Sequence, residues 1–338
     1  MIKVFTLSAI VTSLIMASPL IKQAKEAGLI AIPNNPKEVR LLVDNPVNPI
    51  TNDKIVLGKM LFFEPRISKS GLISCNTCHN LGTGGVDGVA AAIGHKWAAN
   101  PHHLNSPTVY NAVFFDAQFW DGRDPTLEKQ AQGPILAPPE MAATKEHVVK
   151  TITSMPGYVD AFKKAYGNDV VIDYVKITDT IGLFERTLVT PAPYDDFLNG
   201  DDSALNSAEK EGLKTFIDKG CTTCHSGIAL GGSMQAFGLT GEYKYVNVGD
   251  FKGDKNGLVK VPTLRNINET APYFHNGAVT TLKEAIQEMG RIQLDMKITD
   301  KEASSIETFL NTLEGEKPEI IYPQLPNPTS STPAKNVN

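Results

Sequence analysis

The sequence has no run of about 18 uninterrupted apolar residues, no fixed-period repeat and no surplus of positive charge. The first absence leaves no obvious membrane-spanning helix, and the second removes collagen, solenoid and coiled-coil architectures. The 32 Lys+Arg against 37 Asp+Glu give a formal charge of −5. That balance supplies no basic field for a phosphate backbone, so nucleic acid is not an expected partner. Only 20% of the 338 residues are charged and 41% are hydrophobic, enough to bury a core, and the length suggests roughly two domains.

Cysteine is also scarce. Lys3, the mostly apolar run from Val4 to Ala17 and the small residues Ala17 and Ser18 read as a secretory signal or N-terminal anchor over residues 1–20. Export normally brings disulfides, yet the four cysteines sit as two close pairs, Cys75/Cys78 and Cys221/Cys224. Each pair is followed at once by histidine, in Cys75-Asn76-Thr77-Cys78-His79 and Cys221-Thr222-Thr223-Cys224-His225. This is the spacing of c-type haem attachment: two thiols about one helical turn apart add to the porphyrin vinyl groups, and the next imidazole meets the iron. A redox CxxC would need a βαβ context that is missing, and a zinc site would recruit more Cys or His nearby. Two covalently bound haem c groups are expected.

The pattern predicts a mainly α fold of two cytochrome c-like domains, each enclosing one haem, with few short strands. The expected bounds are 21–190 and 191–315, with an extended or disordered proline-rich tail over 316–338. Asn52 or Asp53 is placed to cap a helix carrying Ile55, Leu57, Met60 and Leu61 that ends before Pro65. Val148, Val149 and Ile152 precede a break at Pro156, and a helical pattern runs from about Ile172 to Val189. Asn206 with Glu209, Thr281 with Glu284 and Thr299 with Glu302 each read as helix starts, the first running on to Cys221.

Two histidines from the motifs leave two open axial positions, and their occupants separate electron carriage from chemistry. The glycine-dense loop after His79 ends at His95, which could bind an iron in one state and leave in another; His102 and His103 compete with it. Methionine is the usual partner that raises a haem's potential. Met289 lies on a capped helix within an apolar stripe, with Met234 and Met296 as rivals.

Further segments carry a resemblance: Leu57-Gly58-Lys59 through Phe62-Phe63-Glu64-Pro65-Arg66-Ile67-Ser68, Phe119-Trp120-Asp121-Gly122-Arg123, and Phe184-Glu185-Arg186-Thr187-Leu188-Val189-Thr190-Pro191. With Pro262-Thr263-Leu264-Arg265-Asn266, Pro272-Tyr273-Phe274-His275-Asn276-Gly277 and both haem motifs, the chain resembles the bacterial dihaem cytochrome c peroxidases from about Leu57 to Gly315. The resemblance implies a low-potential, peroxidatic first haem with His79 proximal and His95 as displaceable distal ligand. It implies a high-potential second haem, ligated by His225 and Met289, where electrons enter. Trp120 matches the tryptophan between the haems, and Gln130 and Glu140 match the distal polar pair, the carboxylate moving a proton during peroxide cleavage. Asn105, Thr270 and Pro272 match the oxygen donors of a Ca²⁺ ion between the domains. The implied protein is a periplasmic homodimer that reduces hydrogen peroxide with electrons from a small cytochrome c or copper protein. Two rivals are a dihaem electron carrier and a related dihaem oxidase that modifies tryptophan in a partner protein, where a tyrosine replaces the axial methionine. One departure is a histidine-rich, slightly longer stretch from His95 to Leu104.

Overall fold

The computed structural model describes residues 18–337, so most of the expected signal segment lies outside the described residues. Thirteen α-helices and one two-stranded sheet are found among them. In chain order the helices are α1 (Pro19–Glu26), α2 (Pro36–Val43), α3 (Asn52–Phe62), α4 (Cys75–Cys78), α5 (Leu127–Gln130), α6 (Gln132–Leu136) and α7 (Lys145–Thr153). Then come α8 (Pro156–Tyr166), α9 (Tyr174–Glu185), α10 (Pro193–Leu198), α11 (Ser207–Asp218), α12 (Leu282–Leu294) and α13 (Asp300–Leu310). Strands β1 (Met234–Ala236) and β2 (Leu258–Lys260) pair antiparallel, Gln235 opposite Val259. The mainly α expectation holds. None of these helices is long and apolar enough to cross a membrane.

Two main hydrophobic cores form. In the first, α3, α8 and α9 pack through Leu57, Leu61, Phe62, Phe162, Ile177 and Phe184. Gly58 permits the crossing of α3 and α9, because a Cβ there would stand 2.4 Å from the Thr180 carbonyl oxygen. The second core joins α10 to α13 through Phe197, Leu213, Phe216, Ile306 and Phe309. Gly212 has the matching role where α11 meets α13, its notional Cβ 2.2 Å from the Ser305 carbonyl. Helix α1 joins this second core through Ile21 and Ala24, with Leu29 following. Helix α1 thus packs on the second core although its residues precede the first haem motif.

Local chemistry explains the helix ends. The cap of α3 is Thr51, one residue before the expected position, its hydroxyl accepting from the Lys54 N–H. Asn206 and Glu209 form a reciprocal capping box, as do Thr299 and Glu302, and Thr281 caps α12. Helix α11 stops at Asp218 rather than running to Cys221, since Gly220 turns at φ 78°. After α13 comes a 3₁₀ turn, Asn311–Leu313, and the described residues 314–337 hold no helix or strand and run extended over the first core. Tyr322 meets Phe63 edge-on at 5.1 Å, and Thr329 Oγ1 donates to the Ser154 carbonyl at 2.9 Å.

The halves repeat one local design. Pro107-Thr108-Val109-Tyr110-Asn111 and Pro262-Thr263-Leu264-Arg265-Asn266 each end in a left-handed asparagine opening a 3₁₀ turn. Thr108 Oγ1 donates to Gly84 O at 2.7 Å and Thr263 Oγ1 to Ala229 O at 2.6 Å. Asn111 and Asn266 both donate to Thr190 Oγ1, at 2.8 and 2.9 Å, and so join the halves through one buried hydroxyl. Arg265, fully buried, is held by a bidentate ion pair to Asp195 at 2.7 and 2.8 Å.

Candidate active site

None of the four cysteines is paired in a disulfide. Burial pushes Cys78 up to about 12 and Cys221 to about 11, and raises Cys75 and Cys224 in the same direction, so the thiols stand in largely apolar surroundings. The Ser74 N–H donates to Thr77 Oγ1 at 2.9 Å across the single turn of α4, which presents Cys75 and Cys78 one turn apart, and His79 ends it. Cys221 and Cys224 span a 3₁₀ turn instead.

The two motif histidines are oriented alike. Nδ1–H of His79 donates to the Pro107 carbonyl at 2.9 Å, and Nδ1–H of His225 donates to the Leu230 carbonyl at 3.1 Å. Each bond fixes the tautomer and leaves Nε2 as a free σ donor. Burial lowers both imidazoles, His225 to about 4, so both are neutral and able to bind a metal at pH 7.

Below His225 opens an apolar cavity whose lining includes Cys221, Cys224, Leu282, Ile286 and Met289. Met289 alone of the three candidate methionines lines it; Met234 instead lies against Gly122. The paired thiols, the neutral imidazole with a free Nε2, the thioether and the apolar wall fit a covalently attached haem. At the first motif the orphan is His95: it is 8% exposed, and its Nδ1 is buried with no hydrogen-bond partner. His102 instead pairs with Asp250 at 2.9 Å, and His103 Nδ1 donates to the Asn276 carbonyl at 3.2 Å.

The His95 loop is pinned against Glu140. The His95 N–H donates to the Glu140 carbonyl at 2.7 Å, and a Cβ on Gly94 would stand 2.1 Å from the Pro139 carbonyl. Lys96 and Trp97 take left-handed φ of 60° and 57°, a costly conformation for side chains of this size, and Trp97 is exposed. Burial raises the Glu140 carboxyl while Arg123, stacked 3.4 Å over Phe119, pulls it down. Gln130 ends α5, half-buried, and its side chain makes no hydrogen bond among the described residues.

The cavity continues to Trp120, Asn105, Thr270 and Pro272. Asn105 Nδ2 donates to Val89 O at 2.8 Å, leaving its Oδ1 available, and its N–H donates to His275 O at 2.8 Å. This set of a carboxamide and two main-chain carbonyls suits a hard cation that also keeps waters. Of the tyrosines that could replace a methionine ligand, Tyr273 lines the cavity, whereas the Tyr245 hydroxyl donates to Glu284 at 3.0 Å.

Two buried groups escaped the sequence reading. Glu185, on α9, has an unpartnered Oε2 and a carboxyl raised to about 8 by burial and by the nearby Glu128. Lys260 lies 3% exposed in the cavity wall. Glu185 lies in the Phe184–Pro191 segment, but no local spacing marks either side chain as buried.

A model of the di-haem cytochrome c peroxidase family matches residues 52–203. The chain is 48% identical to the cytochrome c551 peroxidase of Nitrosomonas europaea, over 85% of this chain and 87% of the relative. It is 46% identical to the cytochrome c551 peroxidase of Pseudomonas aeruginosa, over 84% and 85%. The methylamine utilization protein MauG of Methylorubrum extorquens is 34% identical over 82% and 83%. Among solved structures, a MauG-like protein associated with microbial copper homeostasis superimposes with a TM-score of 0.70 at 27% identity, over 81% of this chain and 93% of that one.

Proposed function

The chain belongs to the di-haem cytochrome c peroxidase family, and on that premise we propose that it reduces hydrogen peroxide to water at the first haem motif with electrons received at the second. The observation that carries this reading is the contact between His95 and Glu140. A buried imidazole with a partnerless Nδ1 sits on a tightly turned loop whose backbone is bonded to the residue carrying a half-buried carboxyl. A permanent electron carrier has no use for a proton-transfer group beside a displaceable ligand.

Haem iron, when bound, supplies the redox chemistry that cleaves the peroxide oxygen–oxygen bond. His79 and His225 would hold the two irons through Nε2, with Cys75, Cys78, Cys221 and Cys224 carrying the covalent links. His95, carried on the Gly94 to Trp97 turn, would be a second, displaceable histidine ligand for the first haem. Glu140 would take a proton from the proximal peroxide oxygen and return it to the departing one, with Gln130 orienting the substrate. Met289 would complete the second iron, and Trp120 would stand on the path between the two.

Asn105, Thr270 and Pro272 would hold Ca²⁺ where the halves meet. We further place the protein in the periplasm as a homodimer, with a small cytochrome c or a copper protein as donor. Met289 in the cavity favours this over the tryptophan-modifying oxidase, and the lower identity to MauG agrees. The test is steady-state oxidation of a reduced small cytochrome by peroxide with haem-loaded protein. Turnover with two electrons consumed per peroxide is expected, and a haem-loaded chain that leaves peroxide intact in every redox state would overturn the reading.

A further inference from the structure

Lys260 ends β2 with its N–H donating to the Trp120 carbonyl at 2.8 Å, so the strand is tied to the tryptophan between the halves. Its side chain crosses the Phe115 ring, with Nζ 4.7 Å from the ring centroid. Nζ makes no hydrogen bond and no ion pair among the described residues. The one carboxylate whose charge reaches it, Asp121, is engaged by Arg123 at 2.8 Å.

Lysine is almost never this deeply buried without an anion, because withdrawing an ammonium from water costs several times what a ring face returns. The chain supplies no such anion here. What Lys260 faces is the cavity shared with Cys221, Cys224, His225 and Met289, so the missing charge must arrive with the occupant of that cavity. A c-type haem carries two propionate carboxylates at one edge.

We propose that Lys260 is the counter-charge for a propionate of the haem held by Cys221, Cys224 and His225, and that this pairing raises that haem's reduction potential. The proposal rests on the haem reading above. A fixed cation beside the porphyrin disfavours the extra positive charge of ferric iron, which suits a haem that must accept electrons first. Burial alone draws the Lys260 ammonium down to about 7, and a carboxylate in contact offsets that loss and keeps it charged. The charge of Lys260 also reaches His79, so the experiment follows both haems and reads which of the two it acts on.

The test compares the haem-loaded full chain with K260M and K260R by counting covalently bound haem and by potentiometric titration, following each haem by its own absorption bands. Lys260→Met keeps length and the backbone bond to Trp120 but removes the charge; Lys260→Arg keeps the charge. Two haems in each protein, a lowered midpoint for the second haem in K260M and a wild-type midpoint in K260R are expected. Wild-type midpoints at both haems in K260M, or a shift confined to the first haem, would overturn the proposal. Should K260M fail to take up haem, K260Q carries the same titration with the same expectation. Fewer than two covalent haems in the wild type would overturn the haem reading itself, an outcome the count separates from the rest.

Discussion

The indole Nε1–H of Trp120 donates a 2.9 Å hydrogen bond to the backbone carbonyl of Asn105. The same ring meets His275 edge-on at 6.3 Å, and the His275 carbonyl accepts the Asn105 N–H at 2.8 Å. Trp120 is thus fastened to the loop that carries a candidate cation ligand, and its ring position follows that loop.

Trp120→Phe keeps an aromatic ring but loses the donor, leaving a buried carbonyl unpaired. We expect a stability loss of about 1–3 kcal/mol in denaturant titration. Electron transfer between the haems should also slow in stopped-flow traces, while peroxide still binds the half-reduced protein. Unchanged transfer would make Trp120 an interface residue only.

Glu140→Gln keeps size and removes the proton carrier. Turnover should fall by about 10²- to 10⁴-fold with little change in peroxide affinity, read from kcat and KM in the steady state. A loss confined to KM would assign Glu140 to binding.

Glu185 gives a pH dependence with a definite sign. Its folded-state carboxyl is raised to about 8 against an ordinary value of 4.5, so the folded state binds the proton more tightly than the unfolded one. The stability this brings is complete below about 4.5 and is lost as pH rises through 8. Glu185→Gln should flatten this decline: thermal melts of wild type and variant should separate between pH 5 and 8, the wild type losing more, by up to a few kcal/mol. Parallel melts across that window would show that Glu185 does not titrate there.

Removing Ca²⁺ with a chelator should lower turnover and restore it on re-addition, and Asn105→Ala should raise the Ca²⁺ concentration needed. Trp120 bonds the backbone of Asn105, so that substitution spares the indole contact. Turnover indifferent to the chelator would remove the cation from the account.

Much of this was legible because it is local. A CxxCH pentapeptide carries its own chemistry, and capping boxes such as Asn206 with Glu209 declare a helix within four residues. What escaped depends on partners far away in the chain. Helix α1 is a short amphipathic segment, and only its packing against α10 and α11 assigns it to the second core. The duplicated turns at Asn111 and Asn266 were hidden because only Pro, Thr and Asn recur between Pro107–Asn111 and Pro262–Asn266, the residues whose backbone geometry demands them. Lys260 and Glu185 look like ordinary surface charges until the fold encloses them. For His95, the sequence left His102 and His103 open, and they differ in the structure by having partners of their own.

The central claim is that His95 leaves the first site when the second is reduced. The most direct measurement adds peroxide to haem-loaded protein reduced by one electron with Ca²⁺ present, and to the fully oxidised form, while following both haem spectra and peroxide loss. The account predicts rapid consumption by the half-reduced protein and little by the oxidised one, with a Gly94→Ala variant, crowded against Pro139 and Glu140, losing that contrast. Equal reaction of both forms of the wild type would mean that the site is already open and would contradict the gating role of His95.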